Sequence, residues 1–136
     1  MSKVLTIIVF AIALCFSACA YSNLIIPEEL SPAELIQRAQ EASDRSRYNQ
    51  ALQYYQALGD RNPLNIDLIC EAEYNVAFIL YKQKKYSLSR EKFNALLERY
   101  NGEGVEYLPA HFKLLSVKVL EKLEEKDARS RLRKKK

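Results

Sequence analysis

The stretch Glu71 to Tyr100, EAEYNVAFILYKQKKYSLSREKFNALLERY, decides the fold. It reads as two amphipathic helices joined by a basic turn at Lys82 to Lys85. In the first half Ala72, Val76, Ile79 and Leu80 recur at helical spacing, and Tyr74, Phe78 and Tyr81 fall at i, i+4 and i+7. A helix apolar round most of its circumference has to be covered on two sides, which a lone hairpin cannot do. The second half turns Leu88, Phe93, Leu96 and Leu97 inward and leaves Arg90, Glu91, Lys92, Glu98 and Arg99 to water. That helix needs cover on one side only.

Upstream, Ser31-Pro32-Ala33-Glu34 is a capping box with proline at the first helical position. The serine oxygen accepts from the third helical N–H while Glu34 reaches back to the cap. The helix it opens carries Leu35, Ile36, Ala39 and Ala42 inward and fades in Ser43 to Ser46. A second helix begins at Tyr48, shows Ala51, Leu52, Tyr55 and Leu58 on one face, and ends over Gly59 to Pro63. The residue before a proline is pushed out of the helical region, so Asn62-Pro63 is a boundary, and Asn65 and Asp67 are candidate caps for the central helix.

Downstream, Asn101-Gly102-Glu103-Gly104 is the one glycine-rich break. A fifth helix is expected from about Leu108 to about Ala128, with Pro109 in its first turn. Its apolar positions are Phe112, Leu115, Val119 and Leu123, joined by Leu114 and Leu120. Only 3 glycines occur in 136 residues, and Leu, Glu, Lys, Arg, Ala and Gln are plentiful between Pro32 and Lys126. The expectation is a single all-α domain of five helices.

The first residues are of another kind. Lys3 and the α-amine precede an apolar run of 13 residues, Val4 to Phe16, then Ser17 and Ala18 before Cys19. This reads as a secretory signal peptide, and the run falls short of the roughly 20 residues that span a bilayer as a helix. Phe16-Ser17-Ala18-Cys19 resembles the bacterial lipoprotein box, in which a cysteine thiol takes a diacylglyceryl group before cleavage exposes it as residue one. Phe16 stands where leucine is usual. The plain alternative takes Ala18-Cys19-Ala20 as an A-x-A cleavage site and releases an unlipidated protein. On the lipoprotein reading, residues 1–18 are leader, 19–30 a lipidated N-terminus and tether, 31–126 the helical domain and 127–136 a basic tail. Cys15 leaves with the leader and Cys19 carries lipid, which makes Cys70 a buried structural thiol with no partner. Lys126 to Lys136 holds seven basic residues against Asp127, so the tail is strongly positive while the rest of the mature chain is slightly acidic.

The two hairpins repeat one another. Tyr48-x-x-Ala51-x-x-x-Tyr55-x-x-Leu58 matches Tyr86-x-x-Ser89-x-x-x-Phe93-x-x-Leu96 at an offset of 38 residues, with Ala39 and Ala77 in equivalent places upstream. Glu106-Tyr107-x-x-Ala110 restarts the pattern of Glu73-Tyr74-x-x-Ala77. These residues resemble the tetratricopeptide repeat, whose signature is a small residue in helix A, then Tyr, Ala and an aromatic in helix B, and finally Pro. Ala39, Tyr48, Ala51, Tyr55 and Pro63 fit it in the first unit; in the second Ser89 stands for Ala, Asn101 for Pro and Lys84 for the turn glycine. The spacing exceeds the family's usual 34 residues, so the connection between units absorbs about four more.

With the lipoprotein box and the short tether, residues 19 to 126 look like the N-terminal half of the outer-membrane-assembly lipoproteins, the BamD-like or YfiO-like family. The resemblance implies a tetratricopeptide-like array of about two and a half repeats on a lipid anchor in the outer membrane, facing the periplasm. It also implies a role as scaffold or adaptor in β-barrel protein assembly, with the barrel-assembly subunit as partner. Such proteins usually carry about five repeats, so a different envelope lipoprotein, a peptide-binding adaptor or structural protein unconnected with barrel insertion, is the alternative.

No catalytic, metal, cofactor or nucleotide constellation stands out. His111 is the single histidine, there is no glycine-rich phosphate loop, and Cys and His spacing does not suit zinc. Nucleic acid and small-molecule substrates are not expected, and the chain does not read as an enzyme. The functional candidate is a surface. In the repeat family the inner face of each A helix lines a groove, which carries over to Tyr74, Phe78, Tyr81 and Lys82, with Tyr107 and His111 on the fifth helix. Aromatics with a polar tip suit an extended or helical peptide. The bland alternative makes Tyr74 and Phe78 core residues against the fifth helix.

Overall fold

A computed structural model describes residues 24–134, and the expected leader and lipidation site at Cys19, with the last two lysines, lie outside the described residues. Five α-helices carry the chain: α1 (Pro32–Asp44), α2 (Tyr48–Arg61), α3 (Ile66–Lys82), α4 (Tyr86–Glu98) and α5 (Ala110–Lys134). Two short 3-10 turns, Arg99–Asn101 and Val105–Tyr107, lie between α4 and α5. The fold is all-α, built from helical hairpins, and among the described residues there is no strand.

Local chemistry sets the boundaries. The capping box forms as the sequence dictates, with Glu34 N–H donating to Ser31 Oγ at 3.3 Å and Ser31 N–H to Glu34 Oε2 at 2.9 Å. The Ser31 hydroxyl, donating to Glu34 Oε2 at 2.7 Å, and then the Ser31 N–H hold the Glu34 carboxyl below its ordinary range. Asn65 caps α3 by accepting from the Leu68 N–H at 3.2 Å. The two hairpin turns are built alike. Ser46 (φ 57°) and Lys84 (φ 62°) are both left-handed, and the next N–H in each turn, Arg47 and Lys85, returns to the carbonyl five residues back, Ala42 or Leu80. Neither turn uses the glycine that this conformation favours. Gly104 does sit at positive φ, 79°, where the loop turns into the second 3-10 turn.

The central helix α3 contributes to every part of the core. On one side Ala72 and Ile79 join Leu35, Ala39, Ala42, Ala51, Tyr55 and Leu58 of the first hairpin. On the other, Cys70 meets Leu96, Tyr100 and Phe112, and Ala77 meets Phe93, Val119 and Leu123. An apolar helix covered on both sides is what its composition demanded. The fully buried small residues Ala39 and Ala51 let α1 and α2 approach, and Ala77 and Ser89 do the same for α3 and α4. Ser89 Oγ donates to the Ala77 carbonyl at 2.9 Å, which satisfies the one polar group in that contact.

Several expectations need correction. Leu88 is 48% exposed; Ser89 takes the buried position, because the face of α4 set by Phe93 and Leu96 passes through residue 89. On α5 the buried face is Phe112, Ser116, Val119 and Leu123, while Leu114 and Leu115 are exposed. Ala110 is exposed in the first turn, so Ser116 is the small buried residue of α5. Leu108 is extended and Tyr107 lies in a 3-10 turn, so neither belongs to the fifth helix. Pro109 stands just before α5, and its carbonyl accepts from the Phe112 N–H and the Tyr100 hydroxyl. At the other end the helix continues through the basic stretch to Lys134, tied to α4 by Arg90 to Asp127 at 2.7 Å and Lys126 to the Tyr86 hydroxyl at 2.7 Å.

The segment from Leu24 to Leu30 is docked on the first hairpin. Ile26 and Leu30 pack on its core, Arg61 donates to the Pro27 and Ile26 carbonyls at 2.8 and 3.0 Å, and the Leu24 N–H reaches Gln53 Oε1 at 2.8 Å.

Candidate functional site

The residues singled out on α3 form one continuous row. Tyr74 and Phe78 stack with ring centroids 5.9 Å apart, Phe78 stacks on Tyr81 at 5.9 Å, and Tyr81 tilts against Tyr86 of α4 at 5.8 Å. Helical spacing of three and four residues places such rings one above another. Tyr74 also meets Phe93 and Phe112, at 5.7 and 5.4 Å, so its inner edge belongs to the core against α5. Tyr74, Phe78 and Tyr81 are all half-buried, while Lys82 is exposed. Each ring therefore has a core side and an open side.

The open side meets α1. Gln40, Ser43 and Asp44 stand across from Asn75, Phe78 and Lys82 over a cleft of about 250 Å³. Lys82 Nζ donates to Ser43 Oγ at 3.1 Å and lies 5.6 Å from the centre of the Phe78 ring. Its ammonium thus stands at the cleft, held by a hydroxyl and a ring face. Tyr55 of α2 forms the floor, its phenol pushed up to about 12 by burial and then by Glu71 and Asp44.

One turn before Asn75, Glu71 lies on the same face. Burial raises its carboxyl above the ordinary value, and His111 of α5 partly offsets this. His111 is exposed and abuts Phe112. Tyr107 is 76% exposed, and the ring contacts of the row run through Phe112 rather than through it. The structure therefore brings together Tyr74, Phe78, Tyr81 and Lys82, sets His111 beside Glu71, and leaves Tyr107 outside the row.

Sequence reasoning missed the polar half of the cleft: Gln40, Ser43 and Asp44 of α1, and Asn75 of α3. A signal existed, since residues 71, 75, 78 and 82 share one face at helical spacing. It also missed a wider cleft of about 590 Å³ on the opposite side of α3, lined by Gly59, Ile69, Ala72, Val76, Lys92 and Ala95. Glu73 at its edge is already held by Arg99 through two bonds of 2.8 and 2.6 Å.

Chemically the row offers ring faces, one ammonium and the amide of Asn75. Cys70 is buried and its thiol is raised by that burial, so it is a poor nucleophile. Among the described residues no cluster of His, Cys, Asp or Glu is arranged to hold a metal ion, and no helix is long and apolar enough to cross a membrane.

No family model matches the chain, and no solved structure matches it. It is similar to an uncharacterized protein of Treponema pallidum (strain Nichols), with 38% identity over 90 residues, covering 65% of this chain and 36% of that protein. The chain thus spans little more than a third of that relative's length.

Proposed function

We propose that this chain is a lipid-anchored periplasmic adaptor, held to the outer membrane through Cys19, that acts by protein–protein binding in β-barrel assembly. The observation that carries the binding role is the row Tyr74, Phe78, Tyr81 and Lys82, with its open side on the polar cleft between α1 and α3. Ring faces supply apolar area at low rotamer cost, and the lysine and asparagine supply the polar contacts that fix a peptide's direction. The leader, the box around Cys19 and the paired hairpins support the anchor and the scaffold role. The helical-hairpin arrangement is compatible with the repeat family that the sequence resembles.

Two experiments test this in separate parts. Cys19→Ser moves the protein from the membrane into the detergent-free soluble fraction; unchanged membrane retention contradicts lipidation. Mild crosslinking followed by purification recovers an outer-membrane barrel protein with periplasmic repeats, and Phe78→Asp with Tyr81→Asp abolishes the recovery. Recovery of unrelated proteins alone, together with unchanged barrel levels after depletion, points instead to an adaptor unconnected with barrel insertion.

A further inference from the structure

The fold gathers charge that the sequence scatters. The α1–α2 turn, the α3–α4 turn and the stretch of α5 from Lys126 onward come to one end of the helices. Gln83 Nε2 joins the two turns by donating to Asn49 Oδ1 at 3.4 Å, and Lys126 Nζ joins α5 to the start of α4 by donating to the Tyr86 hydroxyl at 2.7 Å. Arg45 and Arg47 stand at the first turn and Lys84 and Lys85 at the second, all exposed. Beyond Lys126, α5 adds Arg131, Arg133 and Lys134, also exposed. None of these cations is in an ion pair among the described residues. Of the carboxylates at this end, Asp127 is taken by Arg90 at 2.7 Å and Glu125 by Arg129 at 3.6 Å, which leaves Glu41, Asp44 and Glu124.

The opposite end has the opposite sign. It carries Asp60, Asp67, Glu98, Glu103 and Glu106, all exposed, and its arginines are engaged, Arg61 on the Ile26 and Pro27 carbonyls and Arg99 on Glu73. Like charges brought together without partners set up a positive potential that favours an anionic surface over a neutral one. Cations spread over two turns and a helix suit a broad surface better than a single small anion. The segment before α1 indicates which surface. Traced backward, it passes from Pro27 at Arg61 to Leu24, whose N–H donates to Gln53 Oε1. That step along α2, from residue 61 to residue 53, covers about 12 Å toward the basic end. On the anchor reading given above, on which this choice of surface rests, Cys19 follows within roughly 17 Å of extended chain. We propose that the basic end docks on the anionic headgroups of the membrane that holds the anchor, and that the acidic end faces away from it.

Vesicle flotation of the full chain carrying Cys19→Ser tests the basic end apart from the lipid. Partitioning is compared between phosphatidylcholine vesicles and vesicles with about one-third phosphatidylglycerol, and the ratio cancels whatever an apolar leader adds to both. The ratio is expected to be at least about tenfold at low salt and to approach one in about 1 M salt, where the Debye length is about 3 Å. Lys84→Glu with Lys85→Glu, and separately Arg131→Glu with Arg133→Glu, each lower it at least about fivefold. Lys92→Glu with Lys118→Glu makes the same change in net charge midway along the helices and leaves the ratio within about twofold. Circular dichroism establishes that each variant keeps its helices. A wild-type ratio near one overturns the proposal, and retention on immobilised polyglutamate that both pairs abolish then assigns the basic end to an acidic protein. A Lys92 and Lys118 pair as damaging as the other two also overturns it. Membrane retention of Cys19→Ser in cells bears on the anchor and leaves this ratio unaffected.

Discussion

Two fully buried serines make opposite contributions in the same fold. Ser89 donates to the Ala77 carbonyl, whereas Ser116 Oγ is buried without a partner among the described residues. Replacing Ser89 by Ala removes a net-favourable hydrogen bond, and we expect a loss of about 1 kcal/mol in urea denaturation. Ser116→Ala removes an unsatisfied hydroxyl from an apolar contact, and we expect a gain of about 1 kcal/mol in the same measurement. Glu71 gives a pH-dependent test. Its carboxyl is raised in the folded state, chiefly by burial, so the protonated form is favoured by folding and stability falls as pH rises through that raised value. Glu71→Gln should therefore be more stable than wild type at neutral pH and indistinguishable from it at acidic pH where the carboxyl is protonated. A melting-temperature difference that stays constant with pH would contradict this assignment.

Each hairpin depends on one turn residue and one small contact residue. Ser46 and Lys84 hold left-handed backbone that costs a residue with a side chain about 1 kcal/mol more than glycine. Lys84→Gly is expected to stabilise by up to about 1 kcal/mol in denaturant titration, less whatever the more flexible unfolded chain takes back. Ala51→Glu places a charge in the fully buried contact between α1 and α2, and a loss of several kcal/mol follows. An unchanged midpoint for Ala51→Glu would mean that the two helices do not meet there. The first four helices were legible in the sequence because capping chemistry, the Asn62-Pro63 boundary and the 38-residue offset all marked the same places. The fifth was misread at both ends. Its leucines lie on both sides of the helix, so the face through Leu115 looked as good as the one through Ser116, and the basic stretch carries no glycine or proline to stop it.

Over the whole molecule, α3 is the hub, and the candidate row was found from sequence because its aromatics share that helix. The cleft beside it was not, because its other wall comes from α1, more than thirty residues away in the chain, and periodicity within one helix says nothing about which neighbour faces it. The docked segment from Leu24 to Leu30 was likewise invisible, since nothing in Ile26-Pro27 announces that Arg61 will grip its carbonyls. That grip governs how far the protein can stand from the membrane if lipid sits on Cys19. With the segment seated, the five residues from Cys19 to Leu24 span at most roughly 17 Å, and peeling it off α2 lengthens the leash to roughly 40 Å. On the proposed anchor at Cys19, Arg61 would be a mechanical catch: a pull would be taken first by α2, and releasing that contact would give slack before any helix unwinds.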